Sequence, residues 1–107
     1  MRQVELAMSF QEVKGKHKAF VFIDVVPGKD KKVLEELMKF DEVKEAHLIA
    51  GQYDILAVLE FELYGKAIFE PAQEKISQFI IGKIRKMQDV RDTNTIYSVY
   101  SLAKVGA

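Results

Sequence analysis

An internal repeat constrains the fold of this chain more than any other feature of its sequence. Residues 39–49 align with residues 86–96 without a gap, so that equivalent positions lie 47 residues apart. The match extends backward through three apolar pairs, which are Val33 with Ile80, Leu34 with Ile81, and Leu37 with Ile84. Each copy has the pattern of a helix, a short turn and a strand. A single pair of copies predicts a doubled βαβ domain, because a repeat array needs several units to bury its faces.

Hydrophobic periodicity adds the remaining core elements. The spacing predicts strands over residues 19–26, 43–49, 53–61 and 92–102, and helices over residues 30–39 and from about residue 71 onward. Pro71 suits the first position of a helix, since an N–H there would have no intrahelical partner. The order β-α-β-β-α-β is that of the ferredoxin-like fold. We therefore predict an α+β domain of the ferredoxin-like βαββαβ class.

The first residues predict one strand more than this core requires. Val4, Leu6, Met8 and Phe10 alternate with more polar residues, which is the period of two of a half-buried strand. Gly15 and Lys16 would form a hinge after it, so we divide the chain into an N-terminal arm (1–17), a core domain (18–104) and a tail (105–107). The sequence leaves open whether the arm packs on its own sheet or crosses to a partner.

The predicted strands carry apolar residues on both faces. Phe20 and Phe22 alternate with Val21 and Ile23, and the strands over residues 53–61 and 92–102 show the same two-sided character. Two helices cover only one face of a four-stranded sheet, so the other face would expose a contiguous apolar patch. We therefore expect an obligate homodimer in which two sheets face each other.

The turn between the two central strands has the sequence Gly51-Gln52-Tyr53-Asp54. Glycine is common in hairpin turns, but a carboxylate beside an aromatic ring is less so. Asp54 would either bind the ammonium group of a small ligand or accept hydrogen bonds from nearby backbone N–H groups. A similar choice remains for Thr93 and Thr95, which suit a strand and would also line a pocket with hydroxyl groups.

Composition excludes several classes of function. Sixteen basic residues balance sixteen acidic ones, so bulk charge favours no direct binding of nucleic acid. There is no cysteine, no membrane-spanning apolar run and no signal peptide, and we expect a cytoplasmic protein. His17 and His47 lack metal-ligand spacing, and no phosphate loop or catalytic triad is evident. We therefore predict no catalytic residue, no metal and no cofactor.

Two motifs resemble the effector-binding (RAM) domain of the Lrp/AsnC family of transcription regulators. Gly51-Gln52-Tyr53-Asp54 matches its G-x-[YF]-D signature, and residues 90–95 resemble its V-x-D-T-x-T pattern before the last strand. The resemblance covers residues 18–104 and implies a dimeric α/β barrel, often assembled into an octamer. It also implies an amino-acid effector bound between dimers. Gly51, Gln52 and Tyr53 would then line the site, Asp54 would bind the ammonium group, and Thr95, Ile96 and Tyr97 would be secondary contacts.

Two departures from the family shape the functional hypothesis. About 17 residues before the core cannot build a helix-turn-helix, and residues 61–71 are longer than an ordinary strand-to-helix connection of about 2–6 residues. We expect a stand-alone, non-enzymatic amino-acid sensor that changes its own assembly, or its assembly with DNA-binding Lrp/AsnC relatives. The alternatives are a cofactor-free small-molecule enzyme of the dimeric α/β barrel type and a purely structural assembly module.

Overall fold

A computed structural model describes residues 9–13, 16–62 and 72–104 of the chain. The secondary structure follows the predicted order, including a strand before the core, and adds one short strand at the C-terminal end. Its elements are β1 (Phe10–Glu12), β2 (Lys16–Val25), α1 (Asp30–Leu37), β3 (Val43–Leu48), β4 (Ile55–Glu62), α2 (Ala72–Phe79), a π-helical turn (Ile80–Ile84), β5 (Val90–Tyr97) and β6 (Leu102–Lys104). The predictions for Val4, Leu6, Met8, Gly15, Pro71, most of the 61–71 segment and the tail lie outside the described residues.

The core is a four-stranded antiparallel sheet with the strand order β3-β4-β2-β5. Strands β2 and β4 occupy the centre, and each half of the sequence contributes one edge strand. This order, with a helix following β2 and another following β4, is the arrangement of the ferredoxin-like fold, which confirms the predicted class. The register sets Val21 opposite Ala57 on β4 and Thr95 on β5.

The last part of the chain departs from the prediction of one strand over residues 92–102. Strand β5 ends at Tyr97, and β6 pairs instead with β1 in a separate two-stranded antiparallel sheet, with Phe10 opposite Lys104. Between them, the Ser98 hydroxyl lies 2.7 Å from the Ser101 hydroxyl. Serine side chains that form such local hydrogen bonds compete with a strand ladder. The added N-terminal strand is confirmed at residues 10–12, but it does not join the core sheet.

One face of the sheet carries the buried core. Ala19, Val21 and Ile23 of β2 are fully buried, as are Ile55, Ala57 and Leu59 of β4. They pack with apolar residues of the two helices, and these are Val33, Leu37, Ile76, Ile80 and Ile84. Two of the repeat pairs, Val33 with Ile80 and Leu37 with Ile84, are therefore core residues in both copies. Their burial holds both helices on the same side of the sheet.

The opposite face, which we call the open face, also carries apolar side chains. The alternation of β2 and the strand register place a cluster of five there, namely Phe20, Phe22, Leu56, Val58 and Ile96. Ile96 is 52% exposed, while Val58 is shielded by its neighbours to 8%. The sequence-based expectation that both faces of the sheet are apolar is therefore confirmed.

Candidate functional site

The Gly51-Gln52-Tyr53-Asp54 segment lies in the loop that joins β3 to β4. This loop covers residues 49–54, and the Ile49 N–H closes it by donating to the Asp54 carbonyl at 3.0 Å. Strand β4 begins at Ile55, two residues after the predicted start, so both Tyr53 and Asp54 belong to the loop. The φ angle of Gly51 is 158°, near extended backbone. Because the connection from β3 to β4 covers residues 49–54, it is longer than a two-residue hairpin turn.

A pocket of about 370 Å³, here called the loop pocket, opens beside this loop. The Tyr53 ring lies 5.6 Å from the ring of Phe22, measured between centroids, and joins the loop to the open face. Aromatic pairs at this separation interact favourably beyond their buried area. The pocket is lined by Phe22, Ile49, Ala50, Gly51, Gln52, Tyr53 and Asn94. Its walls thus combine backbone, amide and aromatic groups, which suit a small polar ligand with an apolar part.

Asp54 anchors the loop to strand β2. Its backbone N–H donates to the Ile23 carbonyl at 3.0 Å, and its Oδ2 accepts a hydrogen bond from the Val25 N–H, also at 3.0 Å. The carboxylate therefore takes the place of a backbone acceptor where the β2–β4 ladder ends. A carboxylate has about four acceptor positions on two oxygens, so one backbone bond leaves capacity for a ligand. Asp54 adjoins the loop pocket through Tyr53 but is not among its lining residues.

A second carboxyl group lies against Asp54. A hydrogen bond to Asp54 raises the pKa of Asp24 above its ordinary value, with further increases from desolvation and from the negative charges of Asp54 and Asp92. Arg91 opposes this shift. Asp24 and Asp92 face each other across β2 and β5. The end of the sheet beside the loop pocket is therefore locally acidic, which favours a positively charged group there.

The remaining predicted residues separate onto the two faces of β5. Thr95 and Tyr97 line a second pocket of about 200 Å³ on the helical side, here called the β5 pocket, whereas Ile96 belongs to the open face. The lining of the β5 pocket consists of Ser77, Ile80, Ile81, Arg85, Thr93, Thr95 and Tyr97. The hydroxyl groups of Thr93 and Thr95 thus do line a pocket. The seven predicted residues do not form one continuous site in a single chain.

Sequence reasoning missed four residues of the loop pocket. Ile49 and Ala50 directly precede the motif, whereas Phe22 and Asn94 lie elsewhere in the chain. Phe22 and Asn94 are cross-strand partners on β2 and β5. Phe22 had been noted only as an apolar strand residue, and Asn94 only as the variable position within the V-x-D-T-x-T pattern. Their proximity to the loop depends on strand order and register, which neither motif specifies.

Comparison with known proteins connects these features to one family. The family profile described as "Lrp/AsnC ligand binding domain" matches residues 18–63. A solved structure of a hypothetical protein from Pyrococcus horikoshii is 31% identical, with a TM-score of 0.64 over 78% of this chain and 89% of that one. An uncharacterised helix-turn-helix-type transcriptional regulator of the same organism is 32% identical over 77 residues, which are 72% of this chain and 43% of that protein. This chain belongs to the Lrp/AsnC family.

This Lrp/AsnC chain spans less than half the length of that curated relative. A further solved structure shares its fold. The transcriptional regulator NMB0573 of Neisseria meningitidis, solved as a complex with L-Met, is 15% identical, with a TM-score of 0.61 over 78% of this chain and 49% of the regulator. The matched residues include β3, β4 and the loop between them, so every lining residue of the loop pocket except Asn94 lies within the match.

Two further features of this Lrp/AsnC chain concern metal ligands and helix length. No cluster of three metal-ligating side chains occurs within the described ranges. The Nε2 atom of His47 lies 2.9 Å from Glu45 Oε1, in an exposed pair on β3. Among the helices that the structure describes, none is long and apolar enough to cross a bilayer.

Proposed function

We propose that this chain is a non-enzymatic effector domain that binds an amino acid beside the 49–54 loop and responds by changing its assembly. The observation that carries the proposal is the loop pocket, because the predicted residues Gly51, Gln52 and Tyr53 line it and Asp54 adjoins it. The family match supports a regulatory role, and the L-Met complex of the N. meningitidis regulator supports an amino acid as the ligand class.

In this proposal, the two ends of the ligand use different parts of the site. The ammonium group binds the free acceptor positions of Asp54 at the acidic end of the sheet, where Asp24 adds negative charge. The ligand side chain packs on Tyr53 and Phe22, whose rings already contact each other. Gln52 and the loop backbone supply hydrogen-bonding groups for the carboxylate. Ile96 is a secondary contact, reached across the open face.

The open face supplies the proposed link between ligand and assembly. Its apolar cluster would cost free energy in water, and a second copy facing it would bury the cluster in a two-layer dimer. Charged pairs lie at its margin, including Lys18 Nζ at 3.4 Å from Glu60 Oε2. Phe22 belongs both to the open face and to the loop pocket. A ligand in the pocket therefore contacts a residue of the proposed dimer interface.

The proposal also covers assemblies larger than a dimer. Dimers would associate near the 49–54 loops into an octamer, or with DNA-binding Lrp/AsnC relatives, and the effector would shift these equilibria. A ligand shifts an equilibrium only by its different affinity for the two states, so its site must differ between dimer and larger assembly. A pocket at the edge of the open face satisfies that condition if a second dimer covers it.

Thermal unfolding with each common amino acid tests the ligand claim. A ligand at 100 times its dissociation constant stabilises the native state by about 2.7 kcal/mol. For a chain of this size, that should raise the melting temperature by roughly 10 °C or more. Asp54→Asn keeps the side-chain shape but removes the charge, and it should abolish the shift. Glu35→Gln removes an exposed carboxylate from α1 and should leave the shift intact. The sensing claim fails if no amino acid at millimolar concentration stabilises the chain.

Light scattering tests the assembly claim. The unmodified chain should have at least the mass of a dimer, and Ile96→Asp on the open face should reduce it to that of a monomer. Met38→Asp changes a similarly exposed residue at the end of α1, and its mass should stay unchanged. If the mass responds to no amino acid while the thermal shift persists, the chain binds its ligand without the proposed change of assembly. If neither responds, a structural assembly module becomes the better interpretation.

A further inference from the structure

The β5 pocket lies on the opposite side of the sheet from the open face and the loop pocket. The cross-strand pairs Val21–Thr95 and Ile23–Thr93 place Thr93 and Thr95 on the helical side, because Val21 and Ile23 belong to the helix-covered core. A dimer that covers the open face would therefore leave this pocket accessible. The amino-acid site and the β5 pocket are separate features of the same chain.

The charge of the β5 pocket favours an anion. Arg85 is the only charged residue in its described lining, and the lining contains no carboxylate. The Arg85 guanidinium makes no hydrogen bond or ion pair with any residue in the ranges 9–13, 16–62 and 72–104. An arginine side chain presents several N–H donors in a planar fork that matches a carboxylate.

Hydroxyl groups surround the remaining polar part of the pocket. Those of Thr93 and Thr95 make no hydrogen bond with another described residue, so they are available to a ligand. The Tyr97 hydroxyl is held by Ser77 Oγ at 2.5 Å, which ties β5 to α2 at this pocket. Each threonine hydroxyl both donates and accepts a hydrogen bond. They therefore suit the oxygen atoms of a small acid.

The pocket also has an apolar side. Ile80 is buried, and Ile81 is 58% exposed at the pocket although it is a large aliphatic residue. Both belong to the π-helical turn, in which the Arg85 N–H donates to the Ile80 carbonyl at 2.8 Å. Turns of this type interrupt α-helices and are frequent at functional sites. Here the turn brings an aliphatic wall and a guanidinium to the same small cavity.

We propose that the β5 pocket binds a short-chain aliphatic carboxylate, including its 2-oxo derivative. The carboxylate binds Arg85, the threonine hydroxyl groups bind the carboxylate or a 2-oxo oxygen, and the hydrocarbon tail packs on Ile80 and Ile81. A volume of about 200 Å³ accommodates an acid of a few carbon atoms. An amino acid of the same length is disfavoured, because no carboxylate in the described lining accepts its ammonium group. Inorganic phosphate is disfavoured because it leaves the isoleucine wall unused.

Nitrogen–proton correlation spectra of the full chain test this site with four probes: butyrate, 2-oxobutyrate, 2-aminobutyrate and inorganic phosphate. Butyrate and 2-oxobutyrate should shift the amide signals of Ile81, Arg85 and Thr95 in a saturable way. 2-Aminobutyrate and phosphate should bind at least tenfold more weakly at these signals. The signals of residues 51–53 report on the loop pocket in the same spectra, so the two sites are read independently.

Arg85→Gln should weaken butyrate binding about tenfold or more, because it removes a charge-assisted hydrogen bond. Lys86→Gln is the matched control. It removes a neighbouring exposed charge that does not line the pocket, and it should leave the affinity unchanged. Equal losses in the two variants would show attraction to general positive charge and overturn the proposal. So would equal binding of phosphate and butyrate, or no saturable shift with either acid. Binding at residues 51–53 would be untouched by each of these outcomes.

Discussion

The two copies of the repeat form the same connection but differ in the helix that leads into it. In the first copy, the Phe40 N–H donates to the Leu37 carbonyl at 3.1 Å, and the Val43 N–H donates to the Phe40 carbonyl at 3.2 Å. The second copy repeats both bonds 47 residues later, from Met87 to Ile84 at 3.1 Å and from Val90 to Met87 at 3.3 Å. Equivalent sequence has therefore produced equivalent backbone structure.

The equivalence extends to neighbouring strands. The Glu42 carbonyl accepts the Glu60 N–H, and the Asp89 carbonyl, at the equivalent position, accepts the Val26 N–H, each at 2.9 Å. The copies differ nearby. Only the second copy contains a π-helical turn. Among the non-glycine residues that the structure describes, Asp89 alone has a positive φ angle, at 77°. The β5 pocket lies beside the π-helical turn. The comparison shows that a shared helix-to-strand connection tolerates a local change that adds a pocket.

Removal of matched core residues should have the largest effect. Leu37 and Ile84 are equivalent and fully buried. Leu37→Ala and Ile84→Ala should each lower the free energy of unfolding by about 2–5 kcal/mol, from lost burial and the cavity left behind. Urea unfolding of both variants measures this. We expect the two losses to agree within about 1 kcal/mol if the copies contribute equally. A much smaller loss for Ile84→Ala would indicate that the π-helical turn relaxes around the cavity.

Replacement of Asp89 should distinguish the two connections. Asp89→Ala should cost about 1–2 kcal/mol, because alanine tolerates a left-handed backbone poorly and the Lys32 Nζ ion pair at 3.3 Å is lost. Glu42→Ala, at the equivalent position, should change the free energy of unfolding by less than about 0.5 kcal/mol. Asp89→Asn keeps the tolerance of a positive φ and removes only the charge. Equal losses for Asp89→Asn and Asp89→Ala would assign the effect to the ion pair.

The Ser77–Tyr97 hydrogen bond has no counterpart in the first copy, where the positions are Asp30 and Ala50. Tyr97→Phe should lower the free energy of unfolding by about 1 kcal/mol through loss of this bond. Ser77→Ala should cost a similar amount, and the double variant should cost little more than either single one. A double-mutant cycle from urea unfolding measures the coupling. Additive losses would show that the two hydroxyl groups do not act as a pair.

The smallest expected effect concerns Asp24, near the end of β2, the strand that pairs with β5 of the second copy. Its pKa is raised in the folded chain, so the folded state holds the proton more tightly than the unfolded state. This group therefore favours folding below its unfolded pKa of about 3.9 and loses that contribution as pH rises through the folded value. Asp24→Asn should remove this part of the pH dependence and slightly raise the melting temperature at pH 7. An unchanged pH profile would exclude Asp24 as its source.

The fold was largely predictable because its signals are local. Apolar residues at helical spacing identified α1 and the second helix, and the repeat identified the connections to β3 and β5. The G-x-[YF]-D loop was placed between the correct strands. The break between β5 and β6 was not predicted, since Val99, Tyr100 and Leu102 continue an apolar strand pattern through the serines that form the turn. The π-helical turn was missed because its residues also fit the periodicity of an α-helix.

The candidate sites also contain some residues that the sequence predicted and others that only the structure revealed. Gly51, Gln52 and Tyr53 were identified from a contiguous motif, but Phe22 and Asn94 join them only through the β2–β5 register. The motif also led to Thr95, Ile96 and Tyr97 as one group. A strand turns successive side chains to opposite faces, so these three residues cannot share one pocket within a chain. Arg85 belongs to neither family motif, and only its position beside β5 indicates a ligand.

The amino-acid sequence thus determined the order of the elements, the apolar stripes and the family motif, because each depends on residues close together along the chain. Tertiary structure decided which strands became neighbours and which side chains faced the helices. It thereby separated the loop pocket from the β5 pocket and committed one Asp54 oxygen to the Val25 N–H. The physical reason is that strand pairing brings together residues far apart in the sequence, whereas side chains that alternate along a strand place neighbouring residues on opposite faces of the sheet.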